Sequence, residues 1–147
     1  MVTFTPDGTM VVVANEGEPD NYCAVGAGDP EGSISIIDVS NGAAAVTNAD
    51  VETAGFKEFN ADIDALRSAG VRIFGPNASV AQDLEPEYVA IDADSTTAWV
   101  SLQENNAFAV VDLASATVTD ILPLGFKDHS LPGNGLETRT VRGPDEP

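Results

Sequence analysis

Apolar and polar positions alternate along the chain in short runs, each the length of one strand and each closed by a turn signal. Residues 2–13 read VTFTPDGTMVVV: an alternating strand, the turn Pro6-Asp7-Gly8, then a second apolar strand. Proline presets φ and glycine accepts positive φ, so this tripeptide reverses the chain for a local reason. Residues 89–100, VAIDADSTTAWV, repeat the arrangement 87 positions later (2 to 89), with Asp92-Ala93-Asp94-Ser95 as the turn. Another pair follows: Ser33–Val39 (SISIIDV) matches Ala107–Leu113 (AFAVVDL) at an offset of 74 (33 to 107). The difference between 87 and 74 gives the first copy 13 extra residues, which fall in the Gly/Asp/Pro-rich stretch Glu18 to Glu31. A fourth strand is expected near Ala43–Thr47, after the turn signal Asn41-Gly42, and at Thr117–Leu122 in the second copy.

Each copy therefore reads as four short strands joined by turns, the unit of a propeller blade. The same pattern allows a β-sandwich of two meanders. The expected fold class is mainly β: two four-stranded antiparallel blade-like repeats of a β-propeller, about 1–47 and 88–122, with one short inserted helix. The insertion spans about 56–74. Asn60 is placed to cap a helix over Ala61–Ala69, with Asp62 and Asp64 in its first turn, Ile63 and Leu66 on one face and Gly70 as its stop. Val71–Phe74 reads as a return to strand. The partial propeller is expected over 1–136, with a disordered tail over 137–147 that lacks apolar periodicity.

Charge narrows the partners. Six Lys and Arg stand against 24 Asp and Glu, a net charge of -18. Such a chain repels phosphate backbones and anionic lipid, so nucleic acid and membrane insertion are not expected. Divalent cations or a salty exterior suit it better, and simple solubility is the plainer reading. The single cysteine, Cys23, allows no disulfide or thiolate cluster within the chain. Met1 runs directly into strand-like sequence with no leader pattern, and the expectation is a fragment or a misplaced start.

The segments DPEGSISIID (29–38), GVRIFGPNA (70–78), QDLEPEY (82–88) and GFKDHSLPGNG (125–135) carry a resemblance. In that order they resemble the choice-of-anchor I proteins, bacterial exported proteins with a lactonase-like, surface-layer-type β-propeller. The resemblance runs to about Leu136 and departs from the family in the Glu-Thr-Arg-Thr-Val-Arg run beyond it. It implies an extracellular or cell-surface protein whose intact ring has about seven blades. Relatives labelled alkaline phosphatase or found beside phosphoesterase domains imply hydrolase chemistry as an alternative. No catalytic residue carries over. Two blades alone leave sheet faces and edges bare, so neighbouring blades or self-association are the partners this reading implies.

Blade geometry also places the acids. The loops after second strands and the connectors into a blade emerge on one rim, bringing together Asn15–Asn21, Asp83–Glu87, Gln103–Asn106 and Phe126–Ser130. Converging carboxylates repel unless neutralised, and calcium takes 6–8 oxygen ligands. Glu16, Glu18, Asp20, Glu85 and Glu87 are the candidate metal ligands, with a merely solvated acidic rim as the alternative. His129 is the one histidine, so a His-rich zinc site is not available within the chain. Asp128-His129-Ser130 contains triad residue types, but adjacency in sequence is no evidence of triad geometry. Trp99 and Tyr88 are expected on strands in the core. The functional expectation is an exported binding or scaffolding module, calcium-stabilised, with a metal-dependent phosphoesterase or lactonase as the alternative.

Overall fold

A computed structural model describes residues 1–21 and 28–135. Cys23 and the expected disordered tail lie outside the described residues. The chain forms two four-stranded antiparallel sheets, each in simple sequential order. The first contains β1 (Val2–Phe4), β2 (Met10–Asn15), β3 (Ser33–Asp38) and β4 (Val51–Gly55). The second contains β5 (Val89–Ile91), β6 (Thr97–Leu102), β7 (Ala107–Asp112) and β8 (Thr117–Pro123).

The two turns read from sequence close as expected. Gly8 has φ 74, and Ser95, its counterpart 87 positions on, has φ 59. A non-glycine residue in that region is uncommon, and Ser95 is held there with its hydroxyl accepting the Asp7 N–H at 3.1 Å. The asymmetry between the copies also matches: the β2–β3 loop covers 16–32, whereas the β6–β7 turn covers 103–106.

The fourth strand of the first copy lies elsewhere. Ala43–Ala45 and Asn48–Asp50 are single 3-10 turns, and the strand is Val51–Gly55. Thr47 makes a capping box with Asp50, its hydroxyl accepting the Ala49 N–H at 3.2 Å, so it starts a turn of helix instead of ending a strand. Apolar content misleads here because the alanines are exposed.

The insertion begins with a 3-10 segment over Lys57–Asp62 that runs into α1 (Ile63–Ala69). Gly70 ends the helix at φ 108, as expected. Asn60 does not cap it. Its carboxamide oxygen instead accepts the Ala81 N–H at 3.0 Å, from a second short helix, α2 (Val80–Asp83), that sequence reading missed. Ser79 caps α2 and pairs with Gln82 in a capping box, a signal that was present in the sequence. Val71–Phe74 joins neither sheet; Arg72 bonds the Asn105 carbonyl at 2.8 Å.

The core lies between the sheets. One face of the first sheet (Val12, Ala14, Ile34, Ile36, Ala54) packs on one face of the second (Val89, Ala98, Val100, Ala109, Val111). β8 lies against its counterpart β4, and β5 against β2, next to its counterpart β1, where the Val89 N–H meets the Met1 Sδ at 3.3 Å. The outward faces also carry apolar side chains. Trp99, Phe108 and Leu122 stand exposed on the second sheet, and Val2 and Phe4 on the first. Trp99 and Tyr88 are therefore not core residues. Alternation tells which residues share a face, but not which face is covered.

Asn105 joins these parts. Its side chain is fully buried and donates to the carbonyls of Arg72 (2.8 Å) and Asp83 (2.7 Å), while its oxygen accepts the Glu85 N–H at 3.1 Å. The β6–β7 turn, the segment after α1 and the connector into β5 thus close on one amide. Asn105→Ala leaves at least two buried partners without a bond, at about 1–3 kcal/mol each. The expected loss of unfolding free energy in urea exceeds that of Ser79→Ala, a cap worth about 1 kcal/mol. Equal losses would mean that the amide is dispensable.

Candidate functional site

The loops that the sequence assigns to one rim do meet at one end of the sheets. Gly32 donates to the Ala81 carbonyl at 3.0 Å, the Gln82 amide to the Asp29 carbonyl at 3.2 Å, and Asn105 bonds both Asp83 and Glu85. The neck of the β2–β3 loop is tight. A Cβ on Gly17 would come within 2.8 Å of the Gly32 backbone nitrogen, and one on Gly32 would run into the Leu84 carbonyl oxygen. Only glycine fits where two backbones approach this closely.

The candidate ligands do not all share this end equally. Glu16 and Glu87 line one recess of about 300 Å³, together with Met1, Ala14, Pro86, Tyr88 and Gln103. Burial raises the Glu87 carboxyl above its ordinary value of 4.5; the carboxylates of Glu104 and Glu16 add to this, and the N-terminal ammonium opposes it. Glu104 was not among the expected ligands, although its loop was placed on this rim; its Oε2 is buried with no hydrogen-bond partner. Glu85 is buried, at 2% exposure, so it is no part of an open rim. Glu18 and Asp20 are exposed on the β2–β3 loop, where the Asp20 N–H bonds the Gly28 carbonyl at 2.9 Å. Among the described residues no three His, Cys, Asp or Glu side chains are grouped to hold a metal ion.

Asp83 is the other perturbed acid at this end. Burial raises its pKa above 3.8 and the Asp29 carboxylate adds to this, while N–H groups of Gly75 and Phe74 and the Arg67 guanidinium work the other way. The turn aspartates at the strand ends behave oppositely. Asp7 is lowered, first by the Thr5 hydroxyl, and Asp92 and Asp112 first by the backbone N–H groups of Thr96 and Ser115.

Asp128, His129 and Ser130 do not form a relay. Ser130 donates to the Asp128 carboxylate at 2.7 Å, while the His129 ring bonds the Asn134 carbonyl. Among the described residues no helix is long and apolar enough to cross a membrane.

These directions fix a pH dependence. A carboxyl whose folded pKa is raised binds protons more readily folded than unfolded. Acidifying from neutral through the raised pKa values of Glu87 and Asp83 therefore increases stability. The lowered aspartates contribute stability above their unfolded value of 3.8, and it is lost as pH falls through their folded values. Urea midpoints are expected to peak on the acid side of neutral and then fall. Glu87→Gln flattens the rise; a wild-type midpoint that declines monotonically below neutral would contradict this account.

No curated protein matches the chain. A family model, the choice-of-anchor I domain, matches residues 1–141, and by that match the chain belongs to the choice-of-anchor I family.

Proposed function

We propose that the chain is a binding or scaffolding module of a β-propeller at the cell surface, its two sheets being neighbouring blades. Family membership supports association with the cell surface at the coarse level. The observation that carries the blade reading is apolar surface on both outward faces. A two-sheet sandwich buries its inner faces and turns polar residues outward. Here the outward faces hold Trp99, Phe108 and Leu122 on one side and Val2 and Phe4 on the other, as blades with further neighbours would. The fourth strands of the two sheets, β4 and β8, lie side by side, which supports the same reading, since blades repeat radially.

Two full chains joined in tandem test this. If the sheets are blades, the second copy gives the first a neighbour. The tandem chain then melts several degrees above the single chain at low concentration and unfolds as one unit. Equal melting temperatures would remove the blade reading.

Calcium enters as a diffuse neutraliser of the acidic end around Glu16 and Glu87, not as an ion held by three carboxylates; burial first, and the charges of Glu104 and Glu16 after it, raise the Glu87 carboxyl. A ligand that binds only the native state raises its stability. Calcium at about a few millimolar, the range of weak extracellular sites, is expected to raise the melting temperature relative to chelator. Sodium chloride of matched ionic strength should do so less, and Glu87→Gln should abolish the difference. An identical response to both salts would leave the acids as solvated charge.

A further inference from the structure

The amide before a proline is a tertiary one, and its nitrogen carries no hydrogen. Such a nitrogen takes a proton and leaves more readily than that of an ordinary peptide. An aspartate before it also holds a carboxyl within reach of the carbonyl carbon of that same bond, so the reacting groups are already together. Of the 9 prolines in the chain, only Pro30 follows an aspartate, Asp29.

The fold grips this bond from both sides. Before it, the Asp29 carbonyl oxygen accepts the Gln82 side-chain amide at 3.2 Å. Beyond it, the Gly32 N–H donates to the Ala81 carbonyl at 3.0 Å. Both partners lie on α2, so the Asp29–Pro30 bond is stretched along one turn of helix. Gln82 is itself fixed. Its Oε1 accepts the Ser79 N–H at 3.1 Å and the Ser79 hydroxyl at 2.9 Å, which turns its nitrogen to the loop. A donor held on a carbonyl oxygen stabilises the negative charge that develops there when the carbon is attacked. Asp29 is half-buried, while Pro30 is exposed to the water that hydrolysis consumes.

We propose that the chain cleaves itself between Asp29 and Pro30 in mild acid, with the Asp29 carboxyl as nucleophile and proton donor and the Gln82 amide as oxyanion donor. A carboxyl oxygen of Asp29 bonds to the Asp29 carbonyl carbon and closes a cyclic anhydride. The bond from that carbon to the Pro30 nitrogen breaks, and the carboxyl proton passes to the nitrogen, which leaves as a secondary amine. One water then opens the anhydride to two carboxyls. The net change is hydrolysis of one peptide bond, with no other reactant.

Burial raises the Asp29 carboxyl above 3.8, so its proton is available at milder acidity than that of a solvated aspartate. The carboxylates around it are those of Asp83 on α2, on which Asp29 acts electrostatically, and of Asp20 across the loop, which crowds Gly28. The Arg67 guanidinium acts on Asp83 from α1, and Lys57 is engaged by Glu31 at 2.9 Å. Cleavage leaves the sheets standing. β2 and β3 pair from Met10↔Asp38 to Asn15↔Ser33 on the two sides of the loop, so the pieces stay together until denatured. A continuous module becomes a two-chain one with a new amino end at Pro30. None of this depends on the blade or the calcium reading.

The test is intact-mass spectrometry of the purified full chain held at about pH 5, or at the lowest pH where circular dichroism still shows the fold. A parallel sample is held at the same pH in about 8 M urea. Expected are a piece ending at Asp29 and a piece starting at Pro30, with masses that sum to the chain plus one water. They form at least about tenfold faster in the folded chain than in urea. The rate rises as pH falls from neutral, and the pieces elute together in native buffer. Asp29→Ala should remove cleavage. Gln82→Met, which keeps the carboxyl but loses the donor, should slow it toward the urea rate. If that variant does not fold, the wild type folded and in urea still decides.

A folded chain that stays intact would overturn the proposal. So would equal rates folded and in urea, which would leave only the ordinary acid lability of such a bond. A folded Gln82→Met chain cleaving at the wild-type rate would do the same. Pieces that also form from Asp29→Ala would reveal a contaminating protease and reject self-cleavage.

Discussion

A buried carboxamide must find partners for both its donors and its acceptor, and Asn105 finds them in the segment after α1 and in the connector from α2 into β5. None of those parts belongs to a ladder at the point of contact. Arg72 follows α1, Asp83 ends α2, and Glu85 leads into β5. The sheets would hold their registers without this contact, but the rim segments would have no fixed relation to the β6–β7 turn. The amide also bears on Asp83, whose carboxylate accepts the Phe74 N–H at 3.0 Å and lies 3.3 Å from the Asn105 nitrogen. One side chain thereby fixes the geometry of the acidic end beside the Asp83 carboxylate.

The strands that could be read from sequence were those whose information is local. Pro6-Asp7-Gly8 and the run of alternating residues after it specify a hairpin without help from elsewhere, and the copy at 89–100 repeats it. β4 could not be read this way. Val51–Gly55 has one buried residue, Ala54, and otherwise presents exposed side chains, so its strand character comes from pairing with β3. Just before it lies an alanine-rich run with higher apolar content and no partner strand. Tertiary pairing outweighed local composition. The Ser79–Gln82 capping box is legible in the sequence, but the helix it starts is a single turn, too short to show an apolar period.

The candidate site was legible only at the level of topology. Strand order fixes which loops share an end, and the loops did meet there. It does not fix depth. Glu85 and Glu87 are two residues apart, yet Glu85 is enclosed beside Leu84 and Pro86 while Glu87 faces Glu16 and Glu104. Nothing in their spacing separates them, since the segment is neither helix nor strand and has no period to read. Glu104 was hidden for a different reason: the residue is half-buried, and which of its carboxylate oxygens turns inward depends on the turn beside Asn105.

The glycine neck at Gly17 and Gly32 has a consequence for how such a chain can change. Because the two ends of the β2–β3 loop are locked backbone to backbone, β2 and β3 keep their register whatever the loop contains. Doubling a flexible loop costs only about 0.6 kcal/mol in closure entropy. The neck therefore acts as a socket: residues between it can be lengthened, shortened or replaced with little strain reaching the sheets.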